Sequence, residues 1–436
     1  VGIGIDCFSP SLVPVDRHGN ALRNAFTPLD VRSVAEVNEI EKEMGSKVIF
    51  DITGNRLATG TSSLPHMMWI RKNAHSVFDG TYKFVHANSY LSFQLTGTCK
   101  MDWSNAALSL LFDPIKKMWS QRVAETFHIP LDKLPETCSP TSLVGETSTA
   151  LCNRLGLKSG IPVAAGSIDT NCAALGAGVV KEGQAIDSGG AASCLGVVTD
   201  QPHFDNRFLN RCHAVPYRWI TVSQGPHSGI ALEWFRDEFC QPEVAEAIRT
   251  RTDPFLLMDQ KAEYAEPGSR GLIFLPYFMG ECSPIWDPYA TSVFFGITPN
   301  HSRGEMIRSI LEGTAYNIRH NLEVLESIGI HVNEIRAVGG QSKSDLWLKI
   351  RAEITGKRMV TVIAKDSTPL GSAILGGVAA GVYSDPSEAA SEICEIDRVV
   401  EPEPEKLKTY GDLFEVYLEA YEGLKKASRM RASVLS

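Results

Sequence analysis

The chain has 436 residues, of which 43% are hydrophobic and 21% are charged, so a globular protein with a sizeable core is expected. At roughly 150 residues per domain, this length corresponds to two or three domains. The formal net charge of −9 argues against a nucleic-acid or anionic-membrane binder, and no apolar stretch is long enough to span a bilayer.

Ten cysteines are dispersed along the sequence, and no two of them form a CxxC pair. In a chain of this size, such spacing is typical of buried thiols in a reducing compartment. The sequence therefore predicts a cytoplasmic protein without a cysteine zinc site.

Short strands that alternate with helices are expected in the first third of the chain. The predicted elements are strands 1–6 and 12–15, a glycine-containing turn at 16–20, and helices 30–45, 64–75 and 86–96. Gly97 is expected to end the last of these helices, and residues 113–150 are expected to be irregular.

The residue composition of the sequence changes near residue 160. A short apolar strand at 160–166 enters a glycine turn, and a helix of small residues follows at 172–178. We therefore predict an N-terminal domain over 1–170 and a C-terminal domain over 171–436, the latter an α/β structure. A charged tail at 403–430 is predicted to be an amphipathic helix whose tyrosines pack in the core.

Three segments combine turn chemistry with candidate reactive groups. Asp169 follows a buried strand and opens a helix, so it is either an N-cap or a reactive carboxylate at a strand-to-helix junction. The glycine pairs at 189–190 and 339–340 each follow a strand, where backbone N–H groups can cradle a phosphate or simply form a turn. Neither is a Walker A loop or a GxGxxG fingerprint.

Several motifs, taken in order, resemble the FGGY carbohydrate kinases of the sugar kinase–actin–Hsp70 superfamily. The most specific is Ser292–Ile297 followed after seven residues by Glu305–Gly313, which matches the family's C-terminal signature. The stretches LPYFMGECSPIWDP and AVGGQSKSDLW resemble two further family motifs, and Asp102 to Ala106 resembles part of another. The resemblance implies two actin-like (ribonuclease H-like) α/β domains with a cleft between them.

The resemblance also implies roles for individual residues. Asp169 would be the catalytic base. The substrate would be contacted by Ser9, Pro10, Ser11, Asp102, Trp103 and Thr170, and the nucleotide by Gly190, Ala191, Gly229, Glu233, Gly340 and Ser344. Alanines at 191 and 192 stand where the family usually has Thr-Ser, so one phosphate contact is expected to be lost unless Ser193 replaces it.

Family members begin with a hairpin that holds the β- and γ-phosphates and the metal. This sequence starts at the strand that follows that hairpin, so either the given sequence begins after the hairpin or the chain lacks it. We expect a chain that lacks the hairpin to transfer phosphate poorly.

The sequence therefore predicts an ATP- and Mg²⁺-dependent kinase of a small sugar, with a ketopentose such as ribulose or xylulose as acceptor. Alternatives are another polyol, an autoinducer-2-type substrate, or a catalytically weak relative that only binds sugar or nucleotide. Neither nucleic acid nor membrane is expected as a partner, and a homodimer is left open.

Overall fold

The computed structural model describes residues 1–190, 193–225 and 228–435. The chain forms two compact units. The first unit consists of residues 1–182, 198–221 and 366–395, and the second unit of residues 183–197, 222–365 and 396–436. The chain therefore passes between the units five times. The single domain boundary near residue 170 that the sequence indicates stays a prediction.

The helices and strands alternate along most of the chain. The helices are α1 (Val34–Glu43), α2 (Ser46–Thr53), α3 (Leu64–Asn73), α4 (His75–Gly80), α5 (Ala87–Thr96), α6 (Trp103–Ala107), α7 (Gln121–Thr126), α8 (Thr149–Leu155), α9 (Asp169–Gly176), α10 (Ser228–Phe239), α11 (Gln241–Thr250), α12 (Pro254–Glu263), α13 (Arg303–Ser327), α14 (Asp345–Thr355), α15 (Ser367–Ala379), α16 (Pro386–Ile393) and α17 (Pro404–Leu435). The strands are β1 (Asp6–Cys7), β2 (Val13–Val15), β3 (Lys83–Val85), β4 (Lys100–Asp102), β5 (Phe112–Asp113), β6 (Met118–Trp119), β7 (Glu136–Cys138), β8 (Leu143–Glu146), β9 (Pro162–Ala164), β10 (Ser167–Ile168), β11 (Gln184–Gly189), β12 (Ser193–Thr199), β13 (Leu209–Cys212), β14 (Trp219–Gly225), β15 (Ile273–Leu275), β16 (Val293–Phe295), β17 (Glu334–Gly339), β18 (Arg358–Val362) and β19 (Ile396–Val400).

The first unit is built on short paired strands covered by helices. Its β1 lies parallel to β10, with Asp6 opposite Ser167 and Cys7 opposite Ile168. The strand predicted over 1–6 is thus regular only at its end, although Ile3 makes an isolated bridge to Val163. The helix predicted over 86–96 is confirmed as α5, and Gly97 ends it in the left-handed region, at φ +74°.

Small residues allow α9 and α15 of the first unit to pack with their backbones almost in contact. A Cβ added to Gly371 would lie 1.9 Å from the carbonyl oxygen of Cys172, and one added to Gly176 would lie 1.9 Å from that of Ser367. Larger side chains on these faces would separate the helices. This contact explains why residues 366–395 belong to the first unit, although they lie far from it in sequence.

The second unit contains most of a mixed sheet in which β14, β12, β11, β17, β18 and β19 are consecutive neighbours. The antiparallel pair β11 and β12 forms a hairpin, and β11 runs parallel to β17, with Gly189 opposite Gly339. Both glycine turns therefore leave the sheet at the same edge. The tail helix α17 buries Tyr410, Tyr417 and Tyr421 in the core, which confirms the role predicted for its tyrosines. Among the described residues, no helix is both long and apolar enough to cross a membrane.

Candidate functional site

Asp169 is the first residue of α9, directly after β10. The N-cap of this helix is Ile168, so the alternative that Asp169 is the cap is wrong. The half-buried Asp169 carboxylate is held locally, since its Oδ1 accepts hydrogen bonds from the backbone N–H of Thr170 at 2.6 Å and from the Thr170 hydroxyl at 3.1 Å. The positive end of the helix dipole stabilises a carboxylate at this position.

Ser9 and Asp169 lie at the carboxyl ends of neighbouring strands, because β1 and β10 are parallel and both end just before them. The Ser9 hydroxyl donates a hydrogen bond to Oδ1 of Asn105 at 2.7 Å. Pro10 and Ser11 are buried, and the Ser11 hydroxyl turns back to the carbonyl oxygen of Phe8 at 2.5 Å. Of the three residues predicted here to touch the substrate, Ser9 is the most accessible.

Asp102 is a buried N-cap rather than an exposed binding group. Its Oδ1 accepts from the Ser104 hydroxyl and from the backbone N–H groups of Ser104 and Asn105, and its Oδ2 accepts from the side-chain amides of Asn88 at 2.6 Å and Asn105 at 2.7 Å. Burial raises the pKa of Asp102 above its ordinary value, against these hydrogen bonds. Direct contact with the sugar stays a prediction, and this geometry favours an indirect role through Asn105.

Asn105 connects several groups that sequence reasoning did not single out. Its Oδ1 also lies 3.2 Å from Nδ1 of His86, whose Nε2 lies 2.7 Å from the Ser63 hydroxyl. Complete burial lowers the pKa of His86 to about 4, so the imidazole is neutral at pH 7. The chain from Asp102 through Asn105 to Ser9 and His86 fixes the Ser9 hydroxyl from beneath. Asn105 lay within a quoted motif, but nothing in the sequence indicated His86 as its partner.

Trp103 belongs to an aromatic group in the first unit. Its ring packs edge-to-face with Tyr217 at 6.0 Å between centroids, and the Lys117 ammonium lies over both rings, 5.3 Å from Trp103 and 4.6 Å from Tyr217. Cation–π attraction therefore holds a positive charge beside the residue predicted to flank the substrate.

The second unit contains a cavity of about 280 Å³ with apolar walls and polar edges. Five of the six residues predicted to contact the nucleotide line it. They are Gly190, Gly229, Glu233, Gly340 and Ser344. The sixth, Ala191, lies outside the described residues. Apolar walls come from Leu232, Phe255, Leu256 and Trp347. A flat, mostly apolar ligand portion with a few polar groups fits such a cavity.

The edges of this cavity are shaped by glycine and by a helix start. A Cβ added to Gly190 or Gly340 would meet no atom within 4 Å, so both glycines border open space. Ser344 is the N-cap of α14, and its hydroxyl accepts a hydrogen bond from the backbone N–H of Trp347 at 3.0 Å. Burial, together with the nearby carboxylates of Asp253, Asp345 and Glu263, raises the pKa of Asp259 on the cavity wall to about 6, against a hydrogen bond with Ser344.

The described residues contain no cluster of three or more His, Cys, Asp or Glu side chains that could hold a metal ion. A metal carried by the phosphates of a nucleotide needs fewer protein ligands than that, because Mg²⁺ is usually held by one or two carboxylates together with substrate oxygens and water. The half-buried carboxylate of Asp169 is the kind of oxygen ligand that such an ion accepts.

Comparison with known proteins finds two family models along the chain. The N-terminal domain model of the FGGY family of carbohydrate kinases matches residues 1–176, and its C-terminal domain model matches residues 187–380. A xylulose kinase of Staphylococcus epidermidis is 28% identical over 100% of this chain and 84% of its own length. A gluconokinase of Bacillus subtilis is 26% identical over 94% of this chain and 80% of its own. The crystal structure of a "xyloylose kinase" from Brucella ovis superposes with a TM-score of 0.87 at 26% identity, covering 98% of this chain and 85% of that one.

Proposed function

Because the chain belongs to the FGGY family of carbohydrate kinases and is a sugar kinase, we propose that it transfers the γ-phosphoryl group of ATP to a hydroxyl of a ketopentose. The observation that carries this proposal is the cavity of the second unit, where five residues assigned to the nucleotide from sequence motifs meet around one space. Because these five residues come from separate parts of the sequence, their position around one cavity supports a nucleotide site.

Asp169 is the base in this proposal. Its carboxylate, fixed by Thr170 at the start of α9, accepts the proton of the attacking hydroxyl as that oxygen bonds to phosphorus and the bond to ADP breaks. Phosphoryl transfer depends mainly on positioning and on stabilising charge. Ser9, held by Asn105, is the accessible hydroxyl suited to orient the sugar.

Magnesium bound to the nucleotide phosphates would neutralise the negative charge that accumulates during transfer. We place the reaction in the cytoplasm, where thiols are stable, because all ten cysteines are in the thiol form. A homodimer stays a prediction.

The ketopentose is proposed because a relative named as a xylulose kinase aligns with the whole chain. A gluconokinase relative of similar identity supports an aldonate as the second candidate. The Lys117 ammonium beside Trp103 favours that candidate, since it is a cation close to a predicted sugar contact. A relative that binds sugar or nucleotide without efficient transfer is the alternative of a different class.

The test is sugar-dependent ADP release with xylulose, ribulose, gluconate and glycerol as acceptors. We expect turnover to be highest with a ketopentose and to be lost in Asp169→Asn. Preferred turnover of gluconate would overturn the ketopentose assignment but not the kinase. If the protein binds both sugar and nucleotide but releases no ADP with any of these acceptors, the alternative of a catalytically weak binder would be favoured.

A further inference from the structure

A buried ion pair lies beneath the two glycine turns of the second unit. The Asp187 carboxylate, near the end of β11, bonds through Oδ2 to Nη1 of Arg351 on α14 at 2.5 Å. Asp187 is fully buried and the Arg351 side chain is 1% exposed. Burial lowers the pKa of Arg351, while Asp187 opposes that shift. Such a pair is costly to desolvate and adds little net stability, so its retention calls for another explanation.

Gln341 joins both members of this pair. Its Nε2 donates to Oδ1 of Asp187 at 3.2 Å, and its Oε1 accepts from Nη2 of Arg351. A side-chain amide carries a donor and an acceptor on the same carbon, which suits this double contact. Gln341 is itself 4% exposed and comes directly after Gly340 in the second glycine turn.

The same carboxylate also holds the first turn. Oδ1 of Asp187 accepts from the hydroxyl of Ser193 at 2.6 Å, and Ser193 begins β12 on the far side of the turn. The Gln341 side chain lies directly on this turn, because a Cβ added to Gly189 would fall 1.0 Å from its Nε2. The carboxylate therefore connects Ser193, at the start of β12, to Gln341 in the 339–341 turn, while the Gln341 side chain lies against Gly189 at the end of β11.

The network also reaches the wall of the cavity. The Arg351 guanidinium lies over the ring of Trp347, 4.7 Å from its centroid, and Trp347 lines the cavity together with Gly190 and Gly340. A change in the Asp187–Arg351 pair would therefore move Gly190 and Gly340 at the edges of the cavity and Trp347 on its wall.

We propose that Gln341 is a positioning residue that holds the first glycine turn, at Gly189 and Gly190, and the second, at 339–341, at a fixed separation through the Asp187–Arg351 pair, and so sets the affinity for a nucleoside triphosphate. The inference rests on the proposed nucleotide site, but its central claim, the coupling of the two turns, does not depend on turnover.

Gln341→Met keeps the length of the side chain and removes both hydrogen bonds, whereas Gly189→Ala leaves Gln341 intact and displaces it. We expect each variant to weaken binding of a non-hydrolysable ATP analogue by about 10- to 100-fold, the effect of leaving buried polar groups unpaired. The KM for the sugar should stay unchanged while the KM for ATP rises. The matched control is Gln241→Met, at an exposed glutamine of the same unit.

Hydrogen exchange in the absence of nucleotide separates this proposal from the proposed function. In both variants, backbone amides at 188–190 and at 339–341 should exchange faster together, and in the control neither group should change. Faster exchange at one turn alone, or analogue affinity within twofold of the unaltered protein in a folded Gln341→Met variant, would overturn the proposal. Correlated exchange in a protein that binds no ATP analogue would uphold the coupling of the turns and overturn the nucleotide assignment.

Discussion

Replacing Glu281 by glutamine should change how the free energy of unfolding depends on pH. Glu281 is 4% exposed, and burial raises its pKa from the ordinary 4.5 to about 8. Its Oε1 accepts the backbone N–H of Cys282 at 2.7 Å and its Oε2 accepts the Asn317 amide at 3.0 Å, but these two bonds do not offset the loss of hydration. The folded protein therefore keeps this carboxyl group protonated at pH 7, whereas the unfolded chain ionises it.

The sign and size follow from proton linkage. Between pH 4.5 and pH 8 the unfolded state binds fewer protons at Glu281 than the folded state, so stability falls as pH rises, by about 1.4 kcal/mol per pH unit. Over the shift from 4.5 to about 8 this amounts to at most about 5 kcal/mol. Glutamine is uncharged at every pH, although its –NH2 group cannot accept a hydrogen bond as the second Glu281 oxygen does. The stability of Glu281→Gln relative to the unaltered protein should therefore rise steadily from pH 4.5 up to pH 8.

The assay is urea unfolding at several pH values, followed through the exchange of β11 and β17 amides, which lie in the same unit as Glu281. Glu415→Gln, at an exposed position on α17 of that unit, is the matched control and should leave the pH dependence unchanged. Parallel stability curves for Glu281→Gln and the unaltered protein would show that Glu281 ionises as an ordinary carboxyl group and would refute the reasoning.

Three further predictions concern the candidate sites. Asp169→Asn keeps the shape of the side chain but removes the base, so kcat should fall by about 10²–10⁴-fold with ligand binding preserved. Near-normal turnover in this variant would refute the assignment of Asp169 as the base. Gly340→Val adds methyl groups into the open space of the cavity, so calorimetry should show weaker ATP binding with sugar binding intact. Gly423→Val, at an exposed glycine on α17, serves as the control. Loss of both affinities in Gly340→Val would show that Gly340 has a structural role only. Burial raises the pKa of Asp259 to about 6, so the free energy of unfolding should fall as pH rises from about 4 to 6. In Asp259→Asn the free energy of unfolding should exceed that of the unaltered protein by up to about 3 kcal/mol above pH 6 and should equal it below pH 4. An equal increase at both pH values would show that the effect does not arise from ionisation of Asp259.

Local sequence was sufficient to locate the candidate turns because their chemistry is local. Asp169 stands at a strand-to-helix junction, and the glycine pairs follow strands, so their positions could be predicted from neighbouring residues alone. The N-cap alternative for Asp169 failed because the regular helix begins one residue earlier than a cap there would require. A shift of one residue at a helix start is decided by backbone angles that side-chain preferences constrain weakly.

What the sequence could not indicate is which polar residues meet inside the protein. Arg351 lies on a helix and is separated from Asp187 by 164 positions, so no spacing rule connects them. Likewise, Asn105 and His86 become neighbours because α5 and α6 of the first unit both pack against β4. An arginine on an amphipathic helix is usually solvated, and only the tertiary structure shows Arg351 and His86 to be buried.

The buried polar groups of the second unit differ in how they are compensated, and this difference indicates their roles. Glu281 lies within the core and escapes the cost of a buried charge by remaining protonated. Asp187 is equally buried but is paired with a guanidinium and further hydrogen-bonded by Ser193 and Gln341. A neutral acid can change its hydrogen-bond partner with little penalty, whereas a paired charge cannot leave its partners without a large one. The rigid arrangement thus lies directly beneath the two turns that border the cavity, where a displacement of an ångström would alter the fit of a ligand.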